Sequence, residues 1–398
     1  MPSRARILVL DGHSAAALAV TRSAGLAGNW VAVGANKGLF AAANLSRYCQ
    51  ATVDYPSSTV EIEAFVDSIV EFARAHSIDL IVPVTDWTLQ PISQQRKRFA
   101  GLCHLAVPSQ AALDIVSDKS STIKLAESVG IDVPKTFLVE SPRDLERCGD
   151  FKFPVVVKDR FSVRWAKGKA VFGSVAYAYS AAELEKIVNE RLRVAGDVLI
   201  QEFVSGVGIG LSFFIAGGKT LLPFQWERIR EVDPRGSGSS ARKSVPLDAA
   251  QASLSAKLIS EMGFEGVAMA EYKRTKDGRF IFMEVNGRPW GSIGLAIASG
   301  IDYPRYLIEW HLEGKLPPAS VPYREKVVCR RVVSELTHLS ALRAGAPANW
   351  PIPYPTFWSS LVKMALPWRP GMCYDDLWLS DPRPGIAGIR NWFRSRMK

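Results

Sequence analysis

No apolar run in the chain is long enough to span a bilayer, which argues against a membrane-crossing helix. Cysteine is scarce. The five residues (Cys49, Cys103, Cys148, Cys329 and Cys373) are odd in number, scattered and never spaced as C-x-x-C, which excludes a disulfide framework or a zinc ribbon. They read as reduced thiols in a cytoplasmic protein. Histidine is equally thin: His13, His76, His104, His311 and His338 never cluster, so none is read as a base or a metal ligand. The N-terminal Met-Pro-Ser-Arg-Ala-Arg enters the apolar run Ile7-Leu-Val-Leu10 without a signal-peptide pattern. No G-x-G-x-x-G follows that run, so a dinucleotide-binding turn has no support. Repeats, low-complexity tracts and recognised nucleic-acid modules are also missing, and no nucleic-acid partner is expected.

What is present suits a multidomain protein. The 398 residues exceed one small core, and a hydrophobic content of 47% is enough to fill two or three. The net charge of +10 points to an anionic partner such as a nucleotide or an acidic substrate. From Val321 onward, 12 Lys/Arg stand against 5 Asp/Glu, a balance of +7.

Residues 1–115 alternate apolar strand runs (7–10, 30–34, 80–84, 105–107) with helical patterns (14–26, 61–75), which predicts a parallel, Rossmann-like α/β domain. The second unit, 116–315, opens with a helix from Asp118-Lys119 to Gly130 and an extended Ile-Asp-Val-Pro134. A buried strand, Val155-Val-Val-Lys158, precedes a basic glycine loop with Lys167, Gly168, Lys169 and Gly173. After a helix over 180–193, a strand ends in Gln201-Glu202-Phe203-Val204 and leads into Gly206-Val-Gly208-Ile-Gly210. The remainder, 316–398, is rich in Pro, Trp and Arg. It holds Trp350, Trp358, Trp368, Trp378 and Trp392, which suit a cap on the core, a partner surface or a peripheral membrane contact.

The most specific feature is a hairpin. Asp277-Gly278 lies between two apolar runs and signals a tight turn. With those two residues as the turn, Glu271 falls directly opposite Glu284, and Asn286 shares the face of Glu284. Like charges in that relation destabilise a sheet unless a cation lies between them. Two carboxylates and an amide suit Mg²⁺ held jointly with substrate phosphates. A slipped register, or a solvated face paired with Lys273 or Arg279, is the alternative.

Lys119 at a helix start and Lys158 at a strand end are placed to face a phosphate, and the backbone of Gln201–Val204 to read an adenine edge. Taken with the glycine loop and Met283-Glu284-Val-Asn286-Gly-Arg288, this order over about 115–312 resembles the ATP-grasp superfamily. The domain before it, with Val82-Pro-Val-Thr-Asp86, resembles the pre-ATP-grasp domain of carboxylate–amine ligases.

The resemblance implies ATP and Mg²⁺ (or Mn²⁺ in its place) held between two antiparallel-sheet subdomains, the smaller over about 116–204. Lys119, Lys158 and Lys169 would contact phosphates, and Gln201, Glu202, Phe203 and Val204 would form the adenine hinge. Glu271, Glu284 and Asn286 would ligate the metal. Arg288, with Lys158, would act on the transferring phosphoryl group. The acidic residue that often follows the hinge glycine and binds ribose is replaced by Val207. A Gly/Ser/Arg loop from 228 to 243, with Arg228, Arg230, Gly236, Ser237 and Arg242, is the candidate grip on substrate. The implied activity is ligation of a small-molecule carboxylate to an amine through an acyl phosphate, compatible with a homodimer. The rivals are a kinase on the same fold and a non-catalytic nucleotide-binding protein.

Overall fold

The computed structural model describes residues 4–149, 151–166, 169–365 and 370–397. Its N-terminal sheet is five-stranded and wholly parallel, with Arg6–Val9 at the centre between Trp30–Asn36 and Leu80–Val82. Ile7 and Val9 pack under the helix Ala15–Leu26, whereas Leu8 and Leu10 pack on the helix Ile62–Ala75. Burial on both faces is why this strand reads as a continuous apolar run rather than an alternating one. The edge strand Ala51–Tyr55 escapes the sequence reading because half-buried Ala51 and exposed Thr52 and Asp54 dilute its apolar signal.

A four-stranded antiparallel sheet follows, in the order Val175–Ala178, Val155–Asp159, Val198–Glu202, Thr136–Val139. Alternation sorts its central strand: Val155 and Val157 pack under the helix Ala181–Ala195, leaving Val156 and Lys158 on the opposite face. The basic stretch read as a loop is a two-stranded hairpin, Val163–Ala166 with Lys169–Phe172. Lys167 and Gly168 lie outside the described residues, as does the side chain of Lys169.

The third sheet has seven strands, among them Val207–Ala216, Lys219–Glu231, Ser239–Ser244, Gly266–Arg274 and Phe280–Asn286. Residues beyond 316 contribute two more, Val328–Arg330 and Met372–Tyr374. One face is covered by the helices Lys119–Ser128 and Ala249–Glu261. Part of the other shares a core with the N-terminal domain, through Phe224, Trp226, Trp290 and Ile293 packed with Val9 and Leu18.

The spaced glycines of Val207–Ala216 have a steric reason. A Cβ on Gly210 would stand 2.3 Å from the Trp226 ring, and one on Gly208 would stand 3.0 Å from Arg228 Nε. These positions let two large side chains of the neighbouring strand lie flat across the sheet. Gly210→Ala should therefore cost about 1–3 kcal/mol by overpacking, read as a lower urea midpoint.

The tail is tied to the N-terminal domain. Arg22 and Asp381, each 1% exposed, form an ion pair at 2.9 Å. Asp381 also accepts from Ser46 Oγ and the Arg47 amide. Among the tail tryptophans, Trp378 lies under Arg22 and Trp392 donates to Thr337, while Trp358 is exposed; Trp368 lies outside the described residues. No helix among the described residues is long and apolar enough to cross a membrane.

Candidate functional site

A cavity of about 620 Å³ opens between the four-stranded and seven-stranded sheets. Lys119, Lys158 and Gln201–Val204 line one side; Arg228, Arg230, Glu271 and Glu284 line the other. These predicted residues, separated by up to 165 positions in sequence, meet in one cleft of a size that suits a cofactor.

Glu271 and Glu284 are cross-strand partners. The path to that pairing differs from the expected one. The turn is wider than Asp277-Gly278 alone: Arg274 lies opposite Phe280 and the Thr275 amide donates to Arg279 O. A bulge follows, because Tyr272 opposes Phe282 while Glu271 opposes Glu284, leaving Met283 as the extra residue. That residue shifts the side-chain parity. Phe282 and Val285 both reach the core, and Met283 and Glu284 both line the cavity. Met283 is a site residue that sequence reasoning missed, since no local signal announces the bulge.

The carboxylates sit in a dense charge network. Arg228 Nη2 donates to Glu271 Oε2 at 3.0 Å, while its Nη1 reaches Glu231 Oε1 and Ser237 O. Burial raises the Glu271 carboxyl above its ordinary value against the pull of Arg228, and Glu284 adds to the rise. No hydrogen bond or ion pair reaches the Glu284 carboxylate among the described residues. Burial pulls the Lys158 amine down to about 8, opposed by Glu284 and assisted by Lys119 and Lys273. The predicted donor set of two carboxylates and the Asn286 amide oxygen is oxygen-only and incomplete, and Glu271 and Glu284 line the cavity whereas Asn286 does not. No group of three or more His, Cys, Asp or Glu suited to a metal occurs among the described residues. Such a set fits Mg²⁺, which completes its octahedron with phosphate oxygens and water.

In the segment predicted as the hinge, Gln201 Nε2 donates to Thr136 Oγ1 and Glu202 Oε1 accepts from the Lys135 amide. The strand ends at Glu202, so Phe203 and Val204 face the cavity outside any ladder. Lys119 Nζ donates to Ser162 Oγ at 2.8 Å, and the preceding Asp118 caps the helix while pairing with Arg160 at 2.6 Å.

The predicted substrate loop is shorter than 228–243. Arg228 and Arg230 stand on the strand Lys219–Glu231, and only 232–238 form the turn, with Gly236 at φ +123°. Tyr177 Oη donates to Arg235 O, linking that turn to the smaller sheet. Arg230 pairs with Glu335 of the tail. Arg242 is not brought to the cavity: 1% exposed, it is held at 2.6 Å by Asp375. Its side chain falls on the opposite face of the sheet from Lys243. Arg288 lies outside the cavity wall, donating to Asp86 Oδ2 at 2.9 Å while facing Glu284 electrostatically. Burial would raise Asp86, but Arg288 and Lys119 outweigh it and hold the carboxyl below its ordinary value. Asp86, Tyr177, Glu231 and Lys273 complete the surroundings that the sequence did not assign.

The family described as "ATP-grasp in the biosynthetic pathway with Ter operon" matches residues 226–335. A probable alpha-L-glutamate ligase of Sodalis glossinidius is 28% identical over 228 residues, covering 56% of this chain and 73% of that protein. Among solved structures, an L-amino acid ligase from Bacillus licheniformis aligns with TM-score 0.61 at 16% identity, covering 80% of this chain and 78% of its own. The ADP complex of an N5-carboxyaminoimidazole synthetase from Staphylococcus aureus aligns with TM-score 0.61 at 13% identity, covering 81% of each chain. At such identities the structural likeness establishes the fold.

Proposed function

From a chain that belongs to the ATP-grasp superfamily, we propose an ATP- and Mg²⁺-dependent ligase that joins a small-molecule carboxylate to an amine. The observation that carries this reading is the cavity in which Lys158 of one sheet faces Glu271 and Glu284 of the other. Phosphoryl transfer asks a protein for positioning and charge neutralisation rather than covalent chemistry, and the wall supplies the cations and carboxylates for both.

Phe203 and Val204 would hold the adenine edge through their backbone, with Met283 beneath the ring. Lys119 and Lys158 would meet the phosphates, and Lys169 is assigned to the flap above them. Glu271, Glu284 and Asn286 would hold Mg²⁺, with Mn²⁺ as a substitute. When bound, the metal would offset the negative charge of the phosphates. Arg228 and Arg230, with the Gly236–Ser237 backbone, would orient the substrate carboxylate. Arg288, fixed by Asp86, would face the phosphoryl group in transit.

In the first step a carboxylate oxygen bonds to the γ-phosphorus and the bond to the β-phosphate oxygen breaks, releasing ADP. In the second, the amine nitrogen bonds to the acyl carbon, phosphate leaves with its oxygen, and the amine sheds a proton to solvent. Screening carboxylate and amine pairs for ADP release tests the reading. Release that requires both partners supports it. Release with an alcohol acceptor alone would identify a kinase, and none with any pair a non-catalytic binder.

The lowered proton affinity of Lys158 gives a pH signature. Its amine is charged below about 8 and neutral above, so the contact with phosphate is present at low pH and lost as pH rises. Titration calorimetry should show Mg·ADP affinity falling through and above that value, because bound phosphate lifts the midpoint. Lys158→Arg should flatten the dependence.

A further inference from the structure

The cavity has a third wall that neither sheet provides. His338, Trp350, Ile352, Pro355, Ser360 and Lys363, all from the tail, line it, with His338 beside the strand bearing Arg228 and Arg230. Trp350 is the anchor. Its ring meets Tyr177 at 5.2 Å and Phe203 at 5.6 Å, both edge to face. The tail thus packs on both the smaller sheet and the hinge at the mouth of the cleft.

We propose that this tail segment forms the substrate subsite and takes an amino acid with an apolar or aromatic side chain rather than one with a second carboxylate. The proposal rests on the ligase reading above and adds the class of substrate to it.

Charge accounting carries the argument. Most cations that face this part of the cavity are already matched: Arg228 and Lys273 by Glu271 and Glu231, and Arg235 by Asp233, whereas Arg230 shares the single carboxylate of Glu335 with Arg330. That cluster leaves one surplus cation, at Arg230, for one substrate carboxylate, while Lys363, without an ion pair among the described residues, is exposed. A second carboxylate would be desolvated beside Trp350, Ile352 and Pro355 without a partner, which is costly. An apolar group gains from the same surface.

One polar atom of this wall, Trp350 Nε1, is also buried without a hydrogen-bond partner. His338 is 2% exposed, and its Nε2 meets Ser360 Oγ at 3.3 Å. Burial, with Arg230 alongside, holds the imidazole towards its neutral form. Unmatched buried polar atoms are a standing cost that a ligand with a carboxylate or amide can relieve after a small shift of the wall.

The test is calorimetry on the full chain saturated with Mg·ADP, titrated with phenylalanine, leucine and glutamate. Phenylalanine or leucine should bind at least about 10-fold tighter than glutamate, the scale on which apolar pockets discriminate. Trp350→Ala should weaken the apolar ligand about 10-fold or more and by a larger factor than it weakens Mg·ADP, while Trp350→Phe keeps most of the affinity. Equal or tighter binding of glutamate, no binding of any of the three, or a Trp350→Ala loss confined to Mg·ADP would each overturn the proposal. Failure of the ligase reading shows separately, as phenylalanine binding without ADP release from ATP in any carboxylate and amine mixture.

Discussion

Glu284→Gln should lower ATP turnover by a factor on the order of 10³ while leaving the protein folded, because the substitution removes from the cleft the charge proposed to hold the metal. The scale is that of losing one preorganised electrostatic partner of a phosphoryl group. Stability should move little, since two effects oppose each other. Glu271 loses a like charge directly across the ladder, which is favourable. Lys158 loses the carboxylate that most strongly supports its charge, which is unfavourable. Paired measurements decide the matter: melting temperature without nucleotide, and the further rise on adding Mg·ADP. The wild type should gain stability with Mg·ADP by mass action, and the variant should gain much less. A variant that keeps both turnover and the Mg·ADP shift would remove Glu284 from the site.

The largest effect on stability is expected at Arg22→Ala. Its guanidinium pairs with Asp381 at 2.9 Å and also donates to the carbonyls of Asp375, Asp376 and Asp381. Removing one partner strands a carboxylate that is 1% exposed, a loss of about 3–5 kcal/mol. Because a chain of several cores need not unfold in one step, the readout is the first urea transition, with protease cleavage reporting release of the tail. Arg22→Met combined with Asp381→Leu should recover much of the loss, since no charge is then left unpaired. Recovery would separate the cost of a stranded charge from a simple loss of packing.

The parts of the site that were legible in sequence are those fixed by local rules. The parity of Val155-Val-Val-Lys158 places Lys158 away from the core, and apolar runs on both sides of Asp277-Gly278 force a hairpin. The pairing of Glu271 with Glu284 was reached through a two-residue turn. The chain makes a wider turn and restores the pairing with a bulge at Met283. A bulge is set by which side chains fit the core, here Phe282 and Val285 together, and short-range spacing does not reveal that.

Long-range partners were the hidden part. Arg228 and Arg242 look alike in sequence, both in a polar stretch with Gly and Ser. They differ because Arg228 lies across Gly208 on the cavity face, whereas Arg242 meets Asp375, 133 residues away. The tail was opaque for the same reason. Its strands Val328–Arg330 and Met372–Tyr374 are three residues each, the first paired on the edge at Ser239–Ser244 and the second on the first. The contribution of Trp350 to the cleft depends on Tyr177 and Phe203, neither of which is near it in sequence.

The most direct test follows oxygen rather than ADP. The protein is incubated with Mg·ATP, an amine and a pool of amino acids whose carboxyl groups carry heavy oxygen, and the phosphate released is analysed by mass spectrometry. An acyl phosphate hands one carboxylate oxygen to the departing phosphate, so one heavy oxygen per phosphate is predicted, in step with ADP formation. ADP formed with unlabelled phosphate, or with the phosphoryl group retained on a stable product, would contradict the account.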